Sequence, residues 1–220
     1  MRFFLATFAY LALSSAHAQP ADCTQGLQDI EAKRHSESIQ PLTKCLKLQL
    51  PSQGRAFVLR ARARSYAELK RWELAAEDQR QSILIEEPKD VWPHVMLGAY
   101  LREGDNLEAA LEALHAALQF DEDGPGTGPG MAVHYHTAQT LHKMGRHWEA
   151  IDVMTKGIPK QPDYGYALYQ RALSYEAMGN RDQAKRDLFR AFELTPKDGY
   201  EPEVAHKLRE YGFDVKVRSE

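Results

Sequence analysis

Toward the C-terminal end of the chain, apolar side chains recur every three or four residues in two successive stretches. Tyr166, Tyr169, Ala172, Leu173 and Tyr175 form the first set; Ala184, Leu188, Ala191 and Phe192 form the second. That spacing belongs to amphipathic helices with one buried stripe each. Gly179-Asn180 lies between them as a stop and turn signal. Leu194-Thr195-Pro196 closes the pair, because proline cannot continue a helix interior. The pattern predicts a helical hairpin.

The same hairpin recurs along the chain. Small residues fall at Gly26, Ala63, Gly98, Ala138 and Ala172, then twelve residues on at Ser38, Ala75, Ala110, Ala150 and Ala184. A third set lies seven further, at Cys45, Ser82, Ala117, Gly157 and Ala191. Successive members are 37, 35, 40 and 34 residues apart in all three sets. Spacing inside the unit is therefore constant, and length varies only between units, where loops absorb it. Small side chains at these places let the two helices approach closely. Such units bury their apolar faces on one another, which predicts an all-α solenoid.

These residues resemble the tetratricopeptide repeat (TPR), a helix-turn-helix of about 34 residues. That family places Gly or Ala at position eight, Tyr at eleven, Gly at fifteen, Ala at twenty, an apolar residue at twenty-four, Ala at twenty-seven and Pro at thirty-two. The last unit matches at Ala172, Tyr175, Gly179, Ala184, Leu188, Ala191 and Pro196. The unit before it matches at Ala138, Gly145, Ala150, Met154 and Pro162, the third at Gly98, Ala110, Leu114 and Ala117. The second keeps Ala63, Tyr66 and Ala75, and the first only Gly26, Leu42 and Leu46. The resemblance implies a right-handed superhelical solenoid of about five hairpins over 19–199, with units near 19–52, 56–88, 91–123, 131–162 and 165–198. A capping helix is expected over 200–212, with Val204, Leu208 and Tyr211 on one face and Gly212 as its stop, and a tail over 213–220. Pro41 is expected to delay or kink the second helix of the first unit, and Pro159 to end that of the fourth early. Gly124 to Gly130 reads as an inter-unit insertion.

The resemblance also bears on the two cysteines. In the family's hairpin, positions eight and twenty-four touch, and these numbers sum to 32. Cys23 and Cys45 occupy positions five and twenty-seven, with the same sum, which implies that their sulfurs face each other. A disulfide closing a loop of that size is worth about 3 kcal/mol. Two reduced core thiols or a redox pair are the alternatives, although neither cysteine lies in Cys-x-x-Cys.

The N-terminus carries a different pattern. Arg2 precedes an apolar run from Phe3 to Leu13, followed by Ser14-Ser15 and Ala16-His17-Ala18. This is the layout of a cleavable signal peptide over 1–18, leaving Gln19 as the new N-terminus. The run is too short to span a bilayer as a helix, and no later stretch comes closer, so stable membrane insertion is not expected. Export into an oxidising compartment suits a disulfide. The absence of an Asn-x-Ser/Thr sequon leans toward a bacterial periplasm over extracellular release.

Composition adds exclusions. A net charge of −3 lacks the basic excess of a nucleic-acid binder. Chemistry-bearing motifs are sparse. Six of nine histidines lie between His94 and His147, but there is no His-x-x-x-His and no His-Glu-x-x-His. His134 and His136 stand two apart, on opposing sides of a helix. Asp121-Glu122-Asp123-Gly124 lacks the acidic twelfth residue of a calcium loop, since that place holds Ala132. No metal, no cofactor and no catalytic residues are expected, and the chain reads as a non-enzyme.

By resemblance, positions two, five, six, nine and twelve of each unit face an inner groove. These give Arg60 and Arg64 in the second unit, Trp92 and Met96 in the third, Tyr135, His136 and Gln139 in the fourth, and Tyr166 and Tyr169 in the fifth. Aromatics, Met and Arg are the residues that interface hot spots favour. Arg60 and Arg64 are neighbours on one helix face and suit a carboxylate, as basic residues at positions five and nine do in chaperone-binding members of the family. The first unit offers Cys23 and Leu27 where that clamp has Lys and Asn. The expected function is an exported, non-enzymatic scaffold holding a peptide or protein segment, with cell-envelope assembly as one setting. Two alternatives are a histidine-based metal-binding or enzyme-accessory protein, and a self-associating structural oligomer.

Overall fold

A computed structural model describes residues 20–118, 130–194 and 201–216. The expected signal peptide, the acidic stretch 121–123, the insertion before Gly130 and Pro196 lie outside them. Among the described residues all regular structure is helical. The chain divides into two compact units, one ending at Asn106 and the other beginning at Leu107.

In the first unit, α1 (Ala21–Glu31) and α2 (His35–Cys45) form one hairpin, and α3 (Ser52–Glu68) and α4 (Trp72–Ile85) a second. A further helix, α5 (Trp92–Glu103), packs on α4. The second unit opens with α6 (Leu107–Leu118), followed by the hairpins α7 (Gly130–Lys143) with α8 (His147–Gly157) and α9 (Gly165–Ala177) with α10 (Arg181–Leu194). Finally α11 (Glu201–Glu210) packs on α10, as expected of a cap.

The fifteen small landmark residues are all buried, and the glycines among them show why. A Cβ on Gly26 would lie 2.6 Å from Leu42 Cγ, the contact between positions eight and twenty-four. One on Gly157 would lie 2.6 Å from His134 Cβ. Cys23 and Cys45 are joined in a disulfide with their Cα atoms 5.0 Å apart. That bridge and Leu42 form the core of the first hairpin, with Val58 closing it from α3.

Position fifteen adopts a left-handed backbone in every repeat: Lys33 (φ 58°), Lys70 (57°), Asp105 (64°), Gly145 (76°) and Gly179 (75°). The next residue donates its N–H back to the carbonyl of position eleven, as in Asn180 to Tyr175 at 2.8 Å and Arg71 to Tyr66 at 2.8 Å. This is the Schellman closure of a helix, and Gly212 ends α11 in the same way.

Proline behaves differently at two sites. Pro159 ends α8 at Gly157 and turns Ile158–Lys160 into a 3-10 turn, as expected. Pro41 does not delay α2, which starts at His35 and continues to Cys45. Only one backbone bond is lost, while Leu42 and Cys45, just beyond it, are fully buried. Packing holds the helix where local propensity does not.

Candidate functional site

A cavity of about 770 Å³ in the first unit is walled by α3, α4, α5 and the connection through Glu86–Asp90. Four of the nine expected groove residues line it: Arg60, Arg64, Trp92 and Met96. Trp72, Pro88, Pro93 and Tyr100 complete an apolar wall. The connection is held where it enters α5. Asp90 accepts the Trp92 backbone N–H at 3.0 Å, and Gln79 donates from Nε2 to the Pro93 carbonyl at 3.0 Å. The backbone at Trp92 is thereby held, and the residue lines the cavity with 46% of its surface exposed.

Charge in the cavity is unevenly committed. Arg60 donates from both terminal nitrogens to one Glu86 oxygen, at 3.2 Å each. Arg64, one turn along α3, is exposed and has no ion-pair partner among the described residues. Glu68 follows one turn further. The Tyr100 hydroxyl is pushed up to about 12, chiefly by burial, with Arg64 opposing and Glu68 reinforcing the shift. The two arginines therefore do not stand as an unoccupied pair: the chain's own carboxylate already rests on one of them.

The other five expected groove residues lie in the second unit. Tyr135 packs edge-on against Tyr164 with centroids 5.7 Å apart, and Tyr164 stacks on Tyr166 at 5.5 Å. Gln139 donates to the Tyr135 hydroxyl at 2.8 Å, and His136 is edge-on to Tyr135 at 5.4 Å. These four make one aromatic surface with Tyr164, which the sequence reading had not singled out. Tyr169 belongs elsewhere. It lines a smaller cavity of about 280 Å³ with Pro202, Glu203, His206 and Lys207 of the capping helix.

Sequence reasoning missed a buried polar clamp. Arg62 at position seven forks Asp78 at position twenty-three, with bonds of 2.7 and 2.8 Å to its two oxygens, and donates to Thr43 of the preceding hairpin at 2.8 Å. Arg171, Asp187 and Thr155 repeat the arrangement at the same template positions, at 2.7, 2.8 and 3.2 Å. Each arginine also lies over the tyrosine at position eleven, Tyr66 or Tyr175, within 5.9 Å. The signal was the coincidence of Arg at seven and Asp at twenty-three in two units.

The histidines do not assemble. His134 packs against Gly157 and contacts the Gly130 carbonyl through Nδ1 at 2.5 Å. His142 and His147 rings lie 4.7 Å apart, and His142 Nδ1 meets Ser174 Oγ at 3.0 Å. Burial and then His147 hold the His142 ring below its ordinary range. No group of three metal-ligating side chains exists among the described residues. No helix among them is long and apolar enough to cross a membrane.

Tandem helical hairpins, with small residues at the crossings and an αL turn in each repeat, define a helical-repeat protein. Residues 165–198 match the tetratricopeptide repeat family model, so the last hairpin is a tetratricopeptide repeat. Its fold is similar to MamA, with a TM-score of 0.64 and 20% identity over 84% of this chain and 97% of that one. It is also similar to YrrB, a TPR protein with an unusual peptide-binding site, with a TM-score of 0.63 and 16% identity over 92% and 97%. DnaJ homolog subfamily C member 3 of Homo sapiens is 28% identical over 131 residues, 60% of this chain. The Bos taurus protein of that name aligns equally. The chain spans about 25% of the length of these curated relatives.

Proposed function

We propose that the chain is an exported, non-enzymatic scaffold that binds a peptide or protein segment in the cavity of its first unit. A protein-interaction role is what TPR proteins of this fold support. The observation that carries the finer reading is the 770 Å³ cavity itself, which gathers Trp92, Met96, Arg60 and Arg64 on one wall system. It combines an apolar wall with a rim of charged side chains, and Trp92 has the exposure and the held backbone that suit a hot-spot residue. Export through residues 1–18 to an oxidising compartment, with the periplasm as the setting, accounts for the disulfide. Assembly of envelope complexes would follow from that location.

Site-specific photo-crosslinking tests the binding. A crosslinking residue at Trp92 is expected to capture a polypeptide in the native compartment. The same residue at Trp148, which is 68% exposed in the second unit, supplies the control. Equal capture from both positions would overturn the assignment. Export is checked separately: the protein recovered from the envelope fraction should begin at Gln19.

A further inference from the structure

We propose that the outer face of α10 rests on an anionic phospholipid surface, holding the chain to a membrane that it does not cross. This goes beyond the cavity of the first unit and is independent of it. The second helices of the hairpins make the contrast. The solvent-accessible charged residues of α4 are Glu73, Glu77 and Arg80, and those of α8 are Glu149, Asp152 and Lys156. Those of α6 are Glu108 and Glu112. Acids are in excess on all three. On α10 the sign reverses: Arg181, Lys185, Arg186 and Arg190 reach solvent against Asp182 and Glu193. Its third acid, Asp187, is buried and paired with Arg171. The chain as a whole carries −3, so these cations gather against the overall balance.

No buried carboxylate neutralises the four. Arg181 lies over the Tyr211 ring at 4.7 Å and Lys185 over the Phe213 ring at 5.5 Å, contacts that place a charge and leave it whole. Arg186 donates to the Asp182 backbone carbonyl at 3.4 Å. Arg190 meets Glu193 at 2.8 Å, but these side chains are 57% and 64% exposed, a pair of little worth. Asp182 stands in the first turn, where the helix dipole favours an acid. At about 100° per residue the four cations span about half the helix circumference, with Phe189 between Lys185 and Arg186. Phe189 is exposed and packs edge-on against Phe213, their centroids 4.7 Å apart, and Val215 follows in the same tail. Apolar side chains bordered by Lys and Arg suit the headgroup region of a bilayer. The rings meet the acyl boundary and the cations meet phosphates. A nucleic acid or an acidic protein would answer the charges but offers Phe189 no hydrocarbon to enter.

The test uses the chain from Gln19, which keeps every described residue and removes the apolar run 3–13 that would itself enter lipid. It is co-sedimented with vesicles of phosphatidylcholine alone and of phosphatidylcholine with an equal part of phosphatidylglycerol. Binding is expected to the mixed vesicles only. It should fall away between about 0.1 and 1 M salt, as the screening length shrinks from about 10 to about 3 Å. Lys185→Gln with Arg186→Gln should weaken it about thirtyfold, from about fivefold for each cation near such a surface. Lys44→Gln with Lys156→Gln makes the same charge change at exposed sites away from α10 and should leave binding near the parent value. Phe189→Ala keeps every charge and should still weaken binding severalfold, which attraction between charges alone would not produce. Circular dichroism checks that each variant keeps its helical content. No binding to the mixed vesicles, equal losses in the two double variants, or parent-like binding by Phe189→Ala overturns the proposal. Capture on heparin without capture by vesicles also overturns it, giving the face to an acidic polymer. None of these variants touches the cavity, so peptide capture at Trp92 stands or falls by itself.

Discussion

The first hairpin and the last are built on one template and tied across by different means. In the last, Arg171 at position seven forks Asp187 at position twenty-three. In the first, those positions hold Gln25 and Pro41, which cannot form such a pair. There the cross-link is covalent, Cys23 to Cys45, between positions five and twenty-seven. Both ties join the same two ends of the hairpin. Small residues at positions eight, twenty and twenty-seven fix how closely the helices approach. The template therefore leaves open which bond holds them, and the weakest match to the family pattern carries the strongest link.

Breaking the covalent tie should have the largest effect. Cys23→Ser with Cys45→Ser is expected to cost about 3 kcal/mol through a freer unfolded chain. Hydrogen exchange should report it as faster amide exchange confined to α1 and α2. Removing one arm of the ionic tie comes next. Asp187→Ala leaves the Arg171 guanidinium largely buried without its partner, at a cost of about 2 kcal/mol in urea denaturation. Replacing both residues together, Arg171→Met with Asp187→Leu, should recover most of that loss, since no unpaired charge remains. A double variant no better than the single one would show that the pair is worth more than its burial costs.

A smaller effect separates turns that are alike in geometry and unlike in sequence. Gly145 and Gly179 meet the left-handed position fifteen without strain, whereas Lys33, Lys70 and Asp105 adopt it as L residues. Such a conformation costs roughly 1 kcal/mol for a side-chain-bearing residue. Gly179→Ala should lose about that amount in thermal unfolding. Lys70→Gly should gain a few tenths to 1 kcal/mol at most, because glycine also makes the unfolded chain freer.

These contrasts mark how far the chain could be read in advance. The landmark spacing gave the hairpins, and position sums derived from the family's contact gave the disulfide, because both depend on relations within one unit. The third partner of each clamp was hidden, because Arg62 reaches Thr43 and Arg171 reaches Thr155, each in the preceding hairpin. A template read one repeat at a time has no term for that. Glu86 was invisible for a second reason: it lies in a connection of variable length, where no periodicity says which way a side chain turns. Tyr169 shows a third. It has the groove position in its repeat, but the capping helix supplies Pro202 and His206 beside it. An end repeat meets a neighbour that the template does not describe.

The smallest expected effect distinguishes the two ends of the chain by pH. Ser174 donates its hydroxyl to the Gln170 carbonyl at 3.2 Å, which leaves its oxygen to accept from the His142 ring at Nδ1. Burial and then the adjacent His147 hold the His142 pKa below the free value of 6.5. The unfolded chain therefore binds this proton more readily than the folded one. Stability is full above pH 6.5 and is lost as pH falls through the lower folded value. In the first hairpin, Arg34 and then Gln25 hold the Asp29 carboxyl below its usual 3.8, so its contribution persists until far stronger acid. Between pH 7.5 and 5, hydrogen exchange should quicken where α7 and α8 meet α9 and stay unchanged in α1 and α2. His142→Gln keeps a hydrogen-bonding side chain without the titration and should flatten that response. A reductant at constant neutral pH should do the reverse, loosening the first hairpin alone. If acid quickened α1 and α2 equally, the burial of His142 would not be the cause.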